Sequence, residues 1–526
     1  MTILSGFARF LRTFRRRQDG AIAVQMAFLA LPLTVLAFGM VDVNRASVAK
    51  KDLQDALDAA TLIAGRSMAV TQTEIQSVGS AALAGQLSGR SDAQLVSSTF
   101  TLNGSTITST ASVKLTPIVA NLWLNSDMQV GAASQIFRSM NKLEVAMVLD
   151  NTGSMKGTKL SELKTATNDF IDQLSAAAAR STETNPVKIG IVPFSSVVRI
   201  GSTTTEINAY KTAAWMDAAG NNAVSKEIFY NSSTGKLGGG TAVNRFTLFN
   251  NTNTTWAGCV EGRQQPYDVQ ESPPTTTTPA TLFTPFFSPD EPDDTLLKTY
   301  NSVNNYESDG ASLTWNYDRR LGTSSKYNSS PNPSSRGPNY GCSIQSISRL
   351  STNWAALKTK VNAMVADGET HIPLGMIWGW HVLSPNAPFA DGVSYSTPKT
   401  TKIVVLMTDG DNTYVNSGAN NDTRNITRYD GYGYASPLRL GASVDVTSTS
   451  AREKAIDDRL ELLCSNMKAA GIVIYTVRVE VTTGSSTLLS NCATRPDMFY
   501  DVQSASNLSA VFSAIAGSIE NLRITQ

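Results

Sequence analysis

Hydrophobic positions along this chain fall into three successive patterns. Residues 21–41, AIAVQMAFLALPLTVLAFGMV, are mostly apolar and carry no charge. As a helix this run reaches about 30 Å, the hydrocarbon thickness of a bilayer, and it predicts a transmembrane helix. Past it, Leu53, Leu57, Ala60 and Ala64 recur at helical spacing, which predicts an amphipathic stem helix over 42–66, able to pack on a partner or on the next domain. From 94 to 138 the period falls to two. STFTLNGSTITSTASVKLTPIV and MQVGAASQIFR alternate small polar and apolar residues, with a turn at Asn103 and Gly104, so 67–140 reads as a small β-rich unit.

From 141 to 526 short apolar runs alternate with amphipathic stretches. LEVAMVLD, from Leu143, predicts a strand, and Leu160, Leu163, Thr167, Phe170 and Leu174 share one face of the following helix. Further strands are predicted at 188–196, 402–410 and 472–480 and near MFYDV. Helices are predicted from Ile456, Leu460, Leu463 and Met467 and from Leu508, Val511, Phe512 and Ile515. This alternation predicts an α/β fold, a doubly wound and mainly parallel sheet with helices on both faces, whose sites lie at the carboxyl ends of the strands. Between about 201 and 350 the pattern dissolves into Asn, Ser, Thr, Pro and Gly, as in PPTTTTPATLFTPFF and SSPNPSSRGPNYG, and reads as a surface insertion. Its aromatics, Trp256, Tyr267, Phe283, Phe286, Phe287, Trp315 and Tyr317, predict a small core of the insertion itself, with a contact surface as the alternative.

Composition narrows the picture. A chain of 526 residues, 41% hydrophobic and 17% charged, can bury a substantial core in two to four units. A net charge of +1 gives no electrostatic footprint for nucleic acid. Arg9, Arg12, Arg15, Arg16 and Arg17 precede the apolar run, while Asp42 to Lys51 are mixed in sign. The positive-inside rule then makes 1–20 a cytoplasmic basic segment and exports everything beyond about 42. The expected localisation is therefore the inner membrane, single-pass, with the bulk of the chain periplasmic or extracellular. A cleaved signal peptide is the alternative, although the run is longer than a usual h-region and no A-x-A site follows. Export would put the four cysteines in an oxidising compartment. Cys464 with Cys492 and Cys259 with Cys342 is the pairing expected, the other two pairings and free buried thiols staying open. His371 and His381, the two histidines, read as helix-packing or surface residues and leave no basis for a multi-histidine zinc site. Enzyme motifs are missing: there is no phosphate loop, nucleophile elbow, H-E-x-x-H helix or reactive Cys/His pair, and no general base is marked.

One constellation carries candidate chemistry. The strand ending at Asp150 runs into Asn151, Thr152, Gly153 and Ser154, which sets a carboxylate and two hydroxyls at alternate positions of one loop. Hard divalent cations take oxygen ligands of this kind. Such residues are also ordinary turn formers, so the motif alone is ambiguous. Thr370, where a loop feeds the apolar stretch IPLGMIWGWHVL, and Asp409, at the end of KIVVLMTDG, add a hydroxyl and a second carboxylate at the same sheet edge. Asp411 reads as a turn residue.

These residues resemble the metal-ion-dependent adhesion site of the von Willebrand factor A family, with Thr152 in place of the first Ser of its Asp-x-Ser-x-Ser loop. The resemblance spans roughly 143–525 and implies that Asp150, Thr152, Ser154, Thr370 and Asp409 hold Mg²⁺, or Mn²⁺ or Ca²⁺, with a partner's carboxylate completing the shell. It also implies that the last helix, about 505–520, is the element that would shift on ligand binding. Gly20 ahead of an apolar helix is similar to a type IV pilin processing site, with Gln25 where a Glu is usual. The order of basic start, membrane helix, LQDALDAATLIA stem and A-type domain resembles the TadG-like proteins of tight-adherence (Flp) pilus systems. That resemblance implies a membrane-anchored, cation-dependent binding and assembly factor of the bacterial envelope, with pilus or envelope proteins as partners. A structural envelope protein without a functional metal is the competing expectation, and a metal-assisted hydrolase a weaker third.

Overall fold

The computed structural model describes residues 19–67, 69, 71–89, 93–103, 106–117, 127–137, 141–179, 181, 183–231, 236–237, 242–290, 304, 306–307, 324–328, 330, 336–416, 425–481 and 487–525. The chain divides into two compact units, Met1–Ser139 and Met140–Gln526.

In the first unit the apolar run and the stem form one continuous helix, α1 (Asp19–Arg66), with Pro32 inside it. Met26, Phe28, Leu29, Leu33, Leu36 and Met40 are at least 59% exposed, so this stretch packs on nothing in its own unit. Among the described residues α1 is the one helix long and apolar enough to cross a membrane. Its later turns bury Leu53, Leu57, Ala60 and Ala64, the positions their spacing singles out. They face a three-stranded antiparallel sheet of β1 (Gln94–Asn103), β2 (Thr106–Leu115) and β3 (Met128–Phe137), in that order. Phe100, Ile107, Ala111 and Val113 close the same core, and Thr61 Oγ1 lies 2.6 Å from Ser109 Oγ across it. The strand pattern does not predict α2 (Gln72–Leu87), which buries Ile75, Gly79 and Leu83. Thr71 starts it with a capping box: the Glu74 amide donates to Thr71 Oγ1 at 3.2 Å and the Thr71 amide to Glu74 Oε2 at 3.0 Å.

The second unit is built on a mixed six-stranded sheet. Its strands are β4 (Lys142–Asp150), β5 (Val187–Phe194), β6 (Ser348–Ser351), β7 (Thr400–Thr408), β8 (Val473–Val479) and β9 (Phe499–Val502). Their order across the sheet is β6-β5-β4-β7-β8-β9; the pairs from β5 to β9 are parallel and edge strand β6 is antiparallel. The chain runs outward from β4 through β5 to β6, then returns to the other side of β4 and continues outward again. The order therefore reverses between β4 and β7, and the carboxyl ends of those two strands flank the reversal.

Alternate residues of each strand serve opposite faces, because successive side chains point to opposite sides. Val145, Met147, Leu149, Ile403, Val405 and Met407 pack under α3 (Thr158–Ala179), α4 (Trp354–Asn362) and α7 (Leu508–Thr525). Ala146, Val148, Val404 and Leu406 pack under α5 (Ile372–Leu383) and α6 (Thr449–Ala469). With both faces covered, the central strands read as unbroken apolar runs.

The insertion differs from expectation. It contributes Trp256, Phe283 and Phe287 to the core above α5, and Phe283 lies 5.0 Å from the Trp378 ring and 5.2 Å from His381. Among the described residues most of the insertion's buried aromatics join the core on that face of the sheet, while Phe286 belongs to a small separate cluster with Val197, Cys259 and Cys342. Phe286 is buried beside the Cys259–Cys342 disulfide and Tyr267 is half-buried, whereas Trp315 and Tyr317 lie outside the described residues. The second disulfide joins Cys464 on α6 to Cys492, so the expected pairing is the one present. A buried ion network fastens the insertion to the loop before α6: Arg439 donates to Glu227 Oε2 and to Glu261 Oε2, each at 2.6 Å. Both histidines are buried, which removes the surface alternative.

Candidate divalent-cation site

The site forms where β4 and β7 end side by side. Asp150, the last residue of β4, is fully buried, and the chain turns there into a 3-10 turn at Gly153–Met155. The Thr152 amide donates to Asp150 Oδ1 at 2.8 Å and Thr408 Oγ1 donates to Asp150 Oδ2 at 2.7 Å. Thr152 Oγ1 lies 2.8 Å from Ser154 Oγ, and Ser154 Oγ donates to Asp409 Oδ1 at 2.6 Å. Four of the five residues singled out in the sequence therefore belong to one hydrogen-bonded chain, which passes through both the amide and the hydroxyl of Thr152.

Thr370 reaches the same rim by another route. The Gly153 amide donates to the Gly368 carbonyl at 2.9 Å, and Gly368, at φ +81°, turns the chain back beneath the first loop. Thr370 is then held against the β7 loop by two bonds of 2.9 Å, its amide donating to Thr413 Oγ1 and its carbonyl accepting from the Thr413 amide. No hydrogen bond joins its hydroxyl to the other four. Asn412 pins the arrangement: its Oδ1 accepts the Ile372 amide at 2.8 Å, while its Nδ2 donates to Asp457 Oδ1 at 2.8 Å. Asp411 is exposed.

Electrostatics give the cluster its character. Burial, reinforced by the nearby Asp409 charge, pushes the Asp150 carboxyl up to about 6, against the pull of its hydrogen bonds to Thr152 and Thr408. Asp409, its side chain fully buried, is met by Lys159 Nζ at 2.8 Å from Oδ2. The donor set is oxygen only, two buried carboxylates and neighbouring hydroxyls, which fits a hard dication rather than a thiolate- or imidazole-loving one. Among the described residues no three His, Cys, Asp or Glu side chains converge as a metal-binding group, so a cation here depends on the hydroxyls.

Sequence reasoning missed Thr408 and Lys159. Thr408 becomes a partner of Asp150 only through the parallel register that sets Met407 opposite Leu149, and the sequence does not reveal that register. Lys159 carries a weak signal, a cation five residues past Ser154 at the start of a helix.

Residues 20–67 match the model of the family described as putative Flp pilus-assembly TadE/G-like. No curated protein matches the chain. Among solved structures, the pilus adhesin SpaC from Lactobacillus rhamnosus GG is similar at 11% identity and a TM-score of 0.33, over 82% of this chain and 35% of its own. This chain thus spans about a third of that adhesin. The PilB minor pilin from Streptococcus sanguinis is similar at 10% identity and a TM-score of 0.33, covering 82% of this chain and 79% of the pilin. The vWF domain of the type V pili tip protein Mfa5 from Porphyromonas gingivalis is similar at 11% identity and a TM-score of 0.31, covering 74% of this chain and 97% of that domain. The family match is thus confined to residues 20–67, almost all of which lie within α1 (Asp19–Arg66).

Proposed function

We propose that the second unit is a von Willebrand factor A-type domain that binds a divalent cation and, through it, a carboxylate of a protein partner during Flp pilus assembly or surface attachment. The observation that carries the reading is the run of hydrogen bonds from Asp150 through Thr152 and Ser154 to Asp409 at the ends of β4 and β7, where the strand order reverses. Asp150 and Asp409 would hold the ion, and Thr152, Ser154 and Thr370 would offer hydroxyl oxygens. Bound Mg²⁺, Mn²⁺ or Ca²⁺ supplies an electrophilic position that a partner's carboxylate can fill. The chain's own part is to hold the two acids apart from bulk water and to orient the hydroxyls. The role is binding rather than catalysis, and α1 anchors the chain in the inner membrane with its N-terminus cytoplasmic.

Titrating the full chain in detergent with Mn²⁺ and with Mg²⁺ tests the site. Saturable binding is expected, weakened at least about tenfold by Asp150→Ala and by Asp409→Ala. A second reading, a structural envelope protein without a metal, draws on Lys159, which already neutralises Asp409. Absence of binding by folded wild type would favour that second reading.

A further inference from the structure

We propose that Lys159 is a built-in competitor for the cation, so that metal uptake at Asp409 exchanges one ammonium for one divalent ion. This rests on the cation-site reading and deepens it, by naming what sets the site's affinity.

Asp409 presents two oxygens, and both are taken. Oδ1 accepts from Ser154 Oγ at 2.6 Å and Oδ2 from Lys159 Nζ at 2.8 Å. Asp150 differs, since both of its oxygens accept from neutral donors, the Thr152 amide and the Thr408 hydroxyl. The ammonium therefore neutralises one acid of the pair and leaves the other uncompensated. A dication drawn to both carboxylates would meet Lys159 at close range inside a low-dielectric rim, where like charges repel strongly. The side chain can leave without unfolding anything. Lys159 stands at the exposed start of α3, its side chain is 24% exposed while that of Asp409 is 0% exposed, and a lysine stem is long and flexible. Asp150 and Asp409 would then be free to hold the ion, and the Lys159 ammonium would be left to solvent. Affinity is accordingly lower than the oxygens alone would give, which suits a site that should fill fully only when a partner's carboxylate adds its own ligand.

The test is Mn²⁺ titration by calorimetry of the full chain in detergent micelles, together with thermal melting in chelator and in excess Mn²⁺. Lys159→Met keeps the stem and removes the charge, and is expected to bind Mn²⁺ about tenfold tighter than wild type. The gain should vanish when Asp150→Ala is added. In chelator the Met variant should melt below wild type, because Asp409 has lost its counter-charge, and Mn²⁺ should raise its melting temperature by more. Lys159→Arg, which keeps the charge, should bind no tighter than wild type. Equal or weaker binding by the Met variant, or an Arg variant as tight as the Met variant, overturns the competition and leaves the cation site standing. No saturable binding by any of these folded chains overturns the site reading, and this inference with it.

Discussion

His371 caps the start of α5 with its imidazole, Nδ1 accepting the Leu374 amide at 3.3 Å, and its ring meets Tyr432 edge-on at 4.3 Å. Burial pushes its pKa down from 6.5 to about 3. A group depressed in this way stabilises the fold above pH 6.5, where it is neutral in both states, and that contribution is lost as pH falls, because only the unfolded chain takes up the proton. His371→Asn keeps a capping oxygen and removes the titration. Between pH 7 and pH 5 the stability of wild type relative to this variant should fall by about 2 kcal/mol, read from denaturant melts at both values. A difference independent of pH would show that His371 is protonated in the folded protein. The sequence marked Asp150, Thr152, Ser154, Thr370 and Asp409 because strand ends and oxygen-bearing loops are local features. The partners of those side chains depend on strand register, which no local pattern encodes, and so Thr408 and Lys159 emerge only in three dimensions.

α2 lies against the sheet of the first unit through Gly79, and a methyl group there would land on the Phe100 ring. Two effects oppose each other in Gly79→Ala. The helix gains up to about 1 kcal/mol from the better helix former, while overpacking a closed core costs about 1–3 kcal/mol. The clash should win, because Phe100 is fully buried and has no free side to turn to, and the melting transition of the unit should move down. A rise would mean that the α2–β1 packing is looser than this. The element itself was hard to see in advance: QTEIQSVGSAALAGQL is rich in Ala, Gly and Ser and has only a thin apolar stripe, and its clearest mark was the Thr71 and Glu74 capping pair. By contrast β4 and β7 are nine-residue strands buried almost throughout, and their unbroken apolar runs stand out in the sequence. The insertion was legible as irregular but not as core, since Phe283 and Phe287 reach the sheet from coil, where no period betrays them.

At the scale of the whole molecule, two disulfides close loops of different size, 83 residues apart for Cys259–Cys342 and 28 for Cys464–Cys492. Loop entropy alone assigns about 4.5 kcal/mol to the first and about 3.5 kcal/mol to the second. Replacing each pair by alanines in the full chain should therefore destabilise it in that order, measured by chemical unfolding. An equal or reversed loss would place the stabilisation in local packing around the sulfurs. The sheet has a different consequence, for how the chain is made. β4 finds β5 soon after it, but its other neighbour is β7, and the Thr408 that grips Asp150 arrives 258 residues later. At ribosomal speeds of about 5–20 residues per second, that gap lasts roughly 13 to 50 s. Throughout it the strand destined for the middle of the sheet is an apolar edge, the form of β-structure most open to pairing with a stranger. Slow emergence of residues 195–399 therefore leaves the β4 edge open to mispairing until β7 arrives to cover it.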